Sequence, residues 1–267
     1  MPRLGVLGWP VAHSRSPAMH GAAIAALGLE GWTYQRLPVP PELFEETVRA
    51  LPGAGFAGAN VTIPHKEAAL ALADEATDAA RAIGAANTLS FRADGTIHAD
   101  NTDAPGLIAS LPFPPAGRTA LVLGAGGSAR AVVWALREAG AADVAVWNRS
   151  PERAERLAAE LGARSVTAAH AADILVNCTS VGLTDVSTTF KELPLDADAT
   201  GAYACLVDLV YRDGDTALIS AARDRGVAVV DGLEFLVQQG ALSFEAWTGV
   251  QAPVNAMRNG ARGTPPR

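Results

Sequence analysis

The chain has 267 residues, 49% of them hydrophobic and 18% charged, enough for one large or two ordinary globular domains. Its net charge is -7 and its basic residues form no dense cluster, which argues against nucleic acid or an anionic membrane as partner and for a small molecule. No apolar run approaches the roughly 20 residues of a membrane span, and the opening "MPRLGVLGWP" lacks the pattern of a signal peptide, so the expected location is the cytoplasm.

From the N-terminus, short apolar runs alternate with helical patterns: "GVLGW", "PAMHGAAIAAL", "WTYQRL", "PELFEETVRAL" and "GANVTI". This alternation predicts an α/β layer structure. In "HSRSPAMH", Ser14 and Ser16 stand just before a helix expected to start at Pro17. Their hydroxyls and the helix-start amides suit a carboxylate, although Ser16 by itself reads as an N-cap.

The stretch "NVTIPHKEAAL" holds Lys66, one of two lysines in a chain with nineteen arginines. A lysine can release its proton where an arginine does not, so this bias marks position 66 as a candidate for proton transfer. Asn60 and Thr62, two apart, share one face of a strand, and Pro64 suits the first helical position, which puts Lys66 in the first turn. There the helix dipole disfavours the ammonium, and an adjacent carboxylate would oppose that effect.

"NTLSFRADGTIHAD" reads as a hairpin turning at Asp94-Gly95, with Asn87 opening one strand and Asp103 following the other. The first unit therefore carries a mixed sheet. "PFPPAG", from Pro112 to Gly117, concentrates proline and glycine, so a boundary is expected near residues 105–117.

Beyond it, "TALVLGAGGSARAVVWALREAG" and "DVAVWNRSPERAERLAAELG" lead to the strands "DILVNCTS", "ACLVDLVY" and "VAVVDG". Strands so continuously apolar suit a parallel sheet covered on both faces, which makes this a Rossmann-type doubly wound domain. Two helical patterns, "LEFLVQQGALSFEAW" and one around "APVNAMRN", close the chain, and "GTPPR" reads as a frayed end. Cys178 and Cys205 show no metal-site spacing and are read as reduced and buried, with no metal site anywhere.

Gly124, Gly126 and Ala129 hold the spacing of a dinucleotide fingerprint between a strand and a helix. At the end of the following strand an NAD site usually places an acid, whereas this chain has Asn148, Arg149, Ser150 and Arg153. Arg149 offers paired donors to a 2'-phosphate. Ser150 caps a helix beginning at Pro151 and so puts Arg153 in its first turn; NADP is favoured.

Taken together, these motifs resemble the shikimate dehydrogenase family: "GWPVAHSRSP", "NVTIPHK", "GAANT", "NTD", "GAGGSAR", "NRSPER" and "DGLEFLVQQGALSFEAWTG" occur in the family's order. The resemblance implies reversible NADPH-dependent reduction of 3-dehydroshikimate to shikimate, in aromatic amino-acid biosynthesis, by a monomer or homodimer. It implies a substrate domain of residues 1–104 completed by helices in 236–267, and an NADP domain of residues 105–235, with the reaction in a cleft between them. Catalytic roles fall on Lys66 and Asp103. Substrate contacts fall on Ser14, Ser16, Asn60, Thr62, Asn87, Tyr211 and Gln239. Cofactor contacts extend to Ala125, Gly127, Ser128, Thr179 and Gly232. Three positions depart from the family pattern: Ala104 stands for a glycine, Asp213 for a proline and Leu183 for a methionine.

The alternatives of the same fold are a quinate/shikimate dehydrogenase with broader cofactor use and a folate-linked dehydrogenase. A third is a non-catalytic ligand-sensing relative. Asn148-Arg149 argues against the first, the serine pair against the second, and the retained Lys66 and Asp103 against the third.

Overall fold

The computed structural model describes residues 1–263; the expected frayed end, beyond Gly263, lies outside the described residues. The chain divides into two compact units, one of Met1–Gly106 with the chain from Leu236 onward, the other of Leu107–Phe235.

The first unit runs β1 (Arg3–Gly8), α1 (Ser16–Ala26), β2 (Thr33–Pro38), α2 (Phe44–Ala50), β3 (Phe56–Val61), α3 (Lys66–Leu72), β4 (Glu75–Ala76), α4 (Asp78–Ile83), β5 (Thr88–Phe91), β6 (Ile97–Asp100) and α5 (Asp103–Ser110), whose helix runs on into the second unit. Its sheet has the order β2-β1-β3-β5-β6-β4. The first three strands are mutually parallel, β5 is antiparallel to both β3 and β6, and β4 returns parallel to β6, so the sheet is mixed. The hairpin turns where Asp94-Gly95 predicts: Gly95 has φ +90° and Asp94 Oδ1 accepts the Thr96 N–H at 2.9 Å. Leu7, Val48, Ala59, Ala69 and Leu89 form the centre of the core against this sheet.

The second unit contains β7 (Thr119–Leu123), α6 (Gly127–Glu138), β8 (Asp143–Trp147), α7 (Pro151–Leu161), β9 (Arg164–Ser165), β10 (Ile174–Asn177), α8 (Thr189–Glu192), β11 (Cys205–Asp208), α9 (Ala217–Asp224) and β12 (Ala228–Val230). All its strands are parallel, in the order β12-β11-β10-β7-β8-β9. The order reverses between β7 and β10, where an open α/β sheet presents its ligand crevice. Leu121, Leu123, Leu175, Leu206 and Leu218 pack its core. Cys205 is buried as expected, but Cys178 is only partly so, because it sits in the loop that leaves β10.

Two helices follow, α10 (Gly232–Thr248) and α11 (Val254–Arg262). Beyond its first turn α10 belongs to the first unit, and it docks there through Trp247, whose Nε1 donates to the Leu89 carbonyl at 3.0 Å. Gly58 makes room for it: a Cβ there would lie 2.1 Å from Trp247 Nε1. His20 of α1 fills the same region, stacked on Tyr34 with ring centroids 4.3 Å apart and flanked by Phe244 and Trp247.

Two helix starts differ from the sequence reading. Ser16 opens α1 itself and Arg15 precedes it in a right-handed helical conformation; the Ser16 N–H is taken up instead by Ser14 Oγ at 3.3 Å. Pro64 lies in a turn before α3, which begins at Lys66. The short strands β4 and β9 and the helix α4 were not anticipated. Two residues are too few to show a period, and α4 is defined mainly by its ends, Thr77 as cap and Gly84 at φ 75°.

Neither ring nitrogen of His20 has a hydrogen-bond partner, and complete burial lowers its pKa to about 3, an effect the neighbouring Asn60 side chain opposes only in part. A depressed histidine pKa stabilises the fold above the unfolded value near 6.5, and that contribution is lost as pH falls toward the folded value. Wild type should therefore lose about 2 kcal/mol relative to His20→Phe between pH 7.5 and 5. Urea unfolding of both proteins across this range measures it, and a pH-independent difference would contradict a neutral buried His20.

Candidate active site

The polar residues of the first unit gather at one edge of its sheet because of the topology. Strands β1, β3 and β6 end there and β5, running the other way, begins there, with Leu7 paired to Val61 and Asn60 to Thr88, and Thr88 in turn to Asp100. The loops after β1 and β3 are laced together: the Thr62 N–H donates to the Leu7 carbonyl at 2.9 Å and the Trp9 N–H to the Ile63 carbonyl at 3.0 Å. Asn101 Oδ1 accepts the Asp103 and Ala104 N–H groups at 3.1 and 3.3 Å, which starts α5 at Asp103.

Lys66 and Asp103 meet at this edge. Lys66 Nζ lies 2.5 Å from Asp103 Oδ2, with the two side chains 11% and 3% exposed. The other carboxylate oxygen accepts from Asn87 Nδ2 at 2.7 Å, and the same amide nitrogen reaches Gln239 Oε1 of α10 at 3.1 Å. The Ala86 N–H donates to the Lys66 carbonyl at 2.8 Å and so ties the start of α3 to the residue before Asn87. Of the residues singled out in the sequence, Lys66, Asn87, Asp103 and Gln239 thus form one bonded group.

Asn60 joins this group from the interior. Its Oδ1 accepts from Tyr34 Oη at 2.8 Å and its Nδ2 donates to Ser243 Oγ at 2.9 Å, so the carboxamide is committed inside the protein. Ser14, in the loop after β1, and Ser16, the first residue of α1, are both buried. Arg36, unremarked in the sequence, braces that loop from β2, with its Nη2 2.7 Å and Nε 3.1 Å from the Ser14 carbonyl. The pairing Val6↔Arg36 brings it there, and no local motif announces it.

In the second unit, β7 ends at Leu123 and the glycine loop follows at the switch point. Gly124 has φ +112°, and a Cβ there would come within 3.1 Å of the Cys178 backbone, so this turn requires glycine. Gly126 precedes α6, whose opening turn comprises Gly127, Ser128 and Ala129, and Ala125 lies between the two loop glycines. At the end of β8, Asn148 Nδ2 donates to the Ser150 carbonyl at 3.0 Å, and Ser150 stands at the cap position of α7 with Pro151 behind it. Arg149 and Arg153 are exposed, and neither forms an ion pair among the described residues. A glycine cradle with two uncommitted guanidiniums at the next strand's end fits a dinucleotide carrying an extra phosphate.

Thr179 and Tyr211 occupy the loops after β10 and β11, and Asp208 joins those loops. Its buried carboxylate accepts from Asn177 Nδ2 at 2.9 Å, Thr216 Oγ1 at 2.6 Å and the Val210 N–H at 3.1 Å, while Asn177 Oδ1 accepts the Thr179 hydroxyl at 2.7 Å. Gly232, at the start of α10, abuts the same loop, since a Cβ there would lie 2.6 Å from the Val210 carbonyl oxygen. The three departures from the family pattern displace none of these bonds: Ala104 is buried in α5, Leu183 is half-buried and Asp213 is exposed.

An all-parallel, doubly wound sheet with a glycine loop at its switch point is the architecture of dinucleotide-dependent α/β proteins. Comparison with known proteins narrows this class. Residues 6–89 match the model of the shikimate dehydrogenase substrate binding domain, residues 109–199 that of shikimate / quinate 5-dehydrogenase, and residues 232–260 that of the shikimate 5'-dehydrogenase C-terminal domain. A shikimate dehydrogenase (NADP(+)) of Methylobacterium radiotolerans is 52% identical over 93% of this chain and 92% of its own, and that of Paracoccus denitrificans 48% over 95% and 93%. A crystal structure of the Thermus thermophilus shikimate 5-dehydrogenase in complex with NADP(H) and shikimate superposes with TM-score 0.87 at 44% identity, covering 98% of this chain and 99% of that one. The chain belongs to the shikimate dehydrogenase family.

Burial raises the pKa of Asp208 from 3.8 to about 6, against the opposing hydrogen bonds from Thr216, Val210 and Asn177. A raised carboxyl pKa contributes stability that is full below the unfolded value near 4 and is lost as pH climbs through about 6. The unfolding free energy of wild type should therefore fall relative to Asp208→Asn by about 2 kcal/mol from pH 4.5 to 7 and then level off. Denaturant titrations of both proteins test this; a difference that rises with pH would reverse the sign and refute it.

Proposed function

We propose that this chain catalyses the reversible, NADPH-dependent reduction of 3-dehydroshikimate to shikimate, a step of aromatic amino-acid biosynthesis, and that Lys66 and Asp103 carry its proton chemistry. The carrying observation is the buried Lys66–Asp103 contact of 2.5 Å, held from behind by Asn87. When bound, NADPH supplies the hydride that the ring carbonyl carbon receives. The carbonyl oxygen then gains negative charge and needs a proton, and Lys66 is assigned to stabilise that charge and deliver the proton. Asp103 orients the ammonium and accepts from a substrate hydroxyl. Asn87, Thr62 and Gln239 are assigned the remaining ring hydroxyls, and Ser14 and Ser16 the ring carboxylate, with Arg36 adding positive charge behind their loop.

Asn60 is assigned a place in the same group, its amide bonded inside the unit at both ends as those of Asn87 and Gln239 also are. The Gly124–Ala129 segment is assigned the pyrophosphate, and Arg149 and Arg153 the 2'-phosphate. Among the described residues no helix is long and apolar enough to cross a membrane; the cytoplasm is proposed as the location from the biosynthetic reaction assigned here. Adding 3-dehydroshikimate to enzyme and NADPH and following the loss of absorbance at the NADPH band tests the reaction directly.

Two variant sets test the assigned roles. Lys66→Met should fold and bind NADP normally while kcat drops by 10²- to 10⁴-fold or more, on the order expected for lost general acid catalysis. Lys66→Arg retains charge but cannot readily give up a proton, so it should stay close to the Met variant; a near wild-type kcat would show that only charge matters. Replacing Arg149 and Arg153 together by glutamine should weaken NADP binding by at least about tenfold and leave NAD binding nearly unchanged. Equal effects on both nucleotides in a calorimetric titration would remove the phosphate assignment.

A further inference from the structure

Ser243 stands one turn beyond Gln239 on α10 and has no exposed surface. Its Oγ reaches three other segments: Asn60 Nδ2 on β3 at 2.9 Å, Thr88 Oγ1 on β5 at 2.8 Å and Thr102 Oγ1 just before α5 at 3.1 Å. It also lies 3.2 Å from the Gln239 carbonyl of its own helix. Thr88 Oγ1 and Thr102 Oγ1 are 3.3 Å apart, so the three hydroxyls close a triangle.

This triangle adjoins the Asn87 carboxamide. Asn87 Oδ1 accepts the Thr102 N–H at 2.7 Å and lies 3.1 Å from both threonine hydroxyls, which determines which end of the amide is oxygen. Nδ2 is thereby turned toward Asp103 Oδ1 and Gln239 Oε1, at 2.7 and 3.1 Å. A hydroxyl offers one donor and two acceptor positions, so removing Ser243 Oγ takes away the shortest acceptor of Asn60 Nδ2 and opens the triangle. It also cuts a side-chain link that joins this turn of α10 to β3, β5 and the residue before α5 at once.

We propose that Ser243 is a positioning residue for the substrate: through the hydroxyl triangle it fixes the register of α10 against β5 and sets the Gln239 and Asn87 carboxamides at the spacing that receives the ring hydroxyls. This rests on the reading of Gln239 as a substrate contact. It assigns Ser243 an effect on substrate affinity, since Lys66 and Asp103 keep their own contact when the triangle opens.

Steady-state kinetics of Ser243→Ala, Gln239→Ala and the double variant, with thermal unfolding measured alongside, provide the test. Ser243→Ala should raise the KM for shikimate about three- to tenfold, as the loss of one hydrogen bond implies. Its kcat should stay within about threefold and its KM for NADP unchanged. In the Gln239→Ala background the same change should add a smaller factor than it does in wild type, because one of its two targets is gone. Ser243→Cys keeps the volume with a weaker donor and should give an intermediate KM, and it replaces the alanine variant in the cycle should that one not fold. A lowered Tm with wild-type KM would reduce Ser243 to a structural role, and fully multiplicative KM effects would cut its link to Gln239; either overturns the inference. Wild type is assayed in the same series, so failure of the functional reading would appear as absent wild-type turnover, whereas failure of this inference appears only in the variants.

Discussion

The contact between the Lys66 ammonium and the Asp103 carboxylate sets the demands that the rest of the first unit meets. Neither charge can be held away from water alone, and a buried pair is tolerable only when its remaining donors and acceptors are also engaged. Asn87 satisfies the second carboxylate oxygen, Gln239 and Thr102 satisfy Asn87, and Asn60 and Ser243 lie behind them. These layers draw on β3, the start of β5, the connection from β6 to α5, and α10. The strand order β1-β3-β5-β6 and the docking of a helix from the far end of the chain are the means of assembling them.

The two units build their candidate sites differently. In the first, the site is made of side chains at strand ends, several of them buried amides and hydroxyls whose orientation is fixed by their own partners. In the second, backbone defines more of it: α6 starts at Gly127, and the left-handed Gly124 and the close approach at Gly232 leave room that a Cβ would fill. Asp208 serves there as an internal brace between loops, an arrangement that buries an acidic group among three donors and ties its charge to the stability of the fold.

Much of this was legible in the sequence because local rules and global architecture agree. Alternating apolar runs gave both sheets, Asp94-Gly95 the hairpin, and Gly124 with Gly126 the turn after β7. Lys66 stood out through composition, since a chain with nineteen arginines spends few lysines. What was not legible depends on distant pairing. Arg36 becomes relevant only once β2 lies beside β1, and Ser243 meets Asn60 across 183 positions. The helix starts at Ser16 and Lys66 were misplaced by one or two residues because a proline near a helix start constrains φ without deciding which residue is first. His20 carries no signal at all in sequence, its role coming entirely from the rings packed around it.

The triangle of Thr88, Thr102 and Ser243 has a property that its heavy-atom geometry does not fix. In each of its three contacts either oxygen can be the donor. Each hydroxyl also has an acceptor outside the ring, Asn87 Oδ1 for the two threonines and the Gln239 carbonyl for Ser243. Every proton of the group thus has more than one acceptor within reach, so its pattern of donors can change while the heavy atoms keep their places.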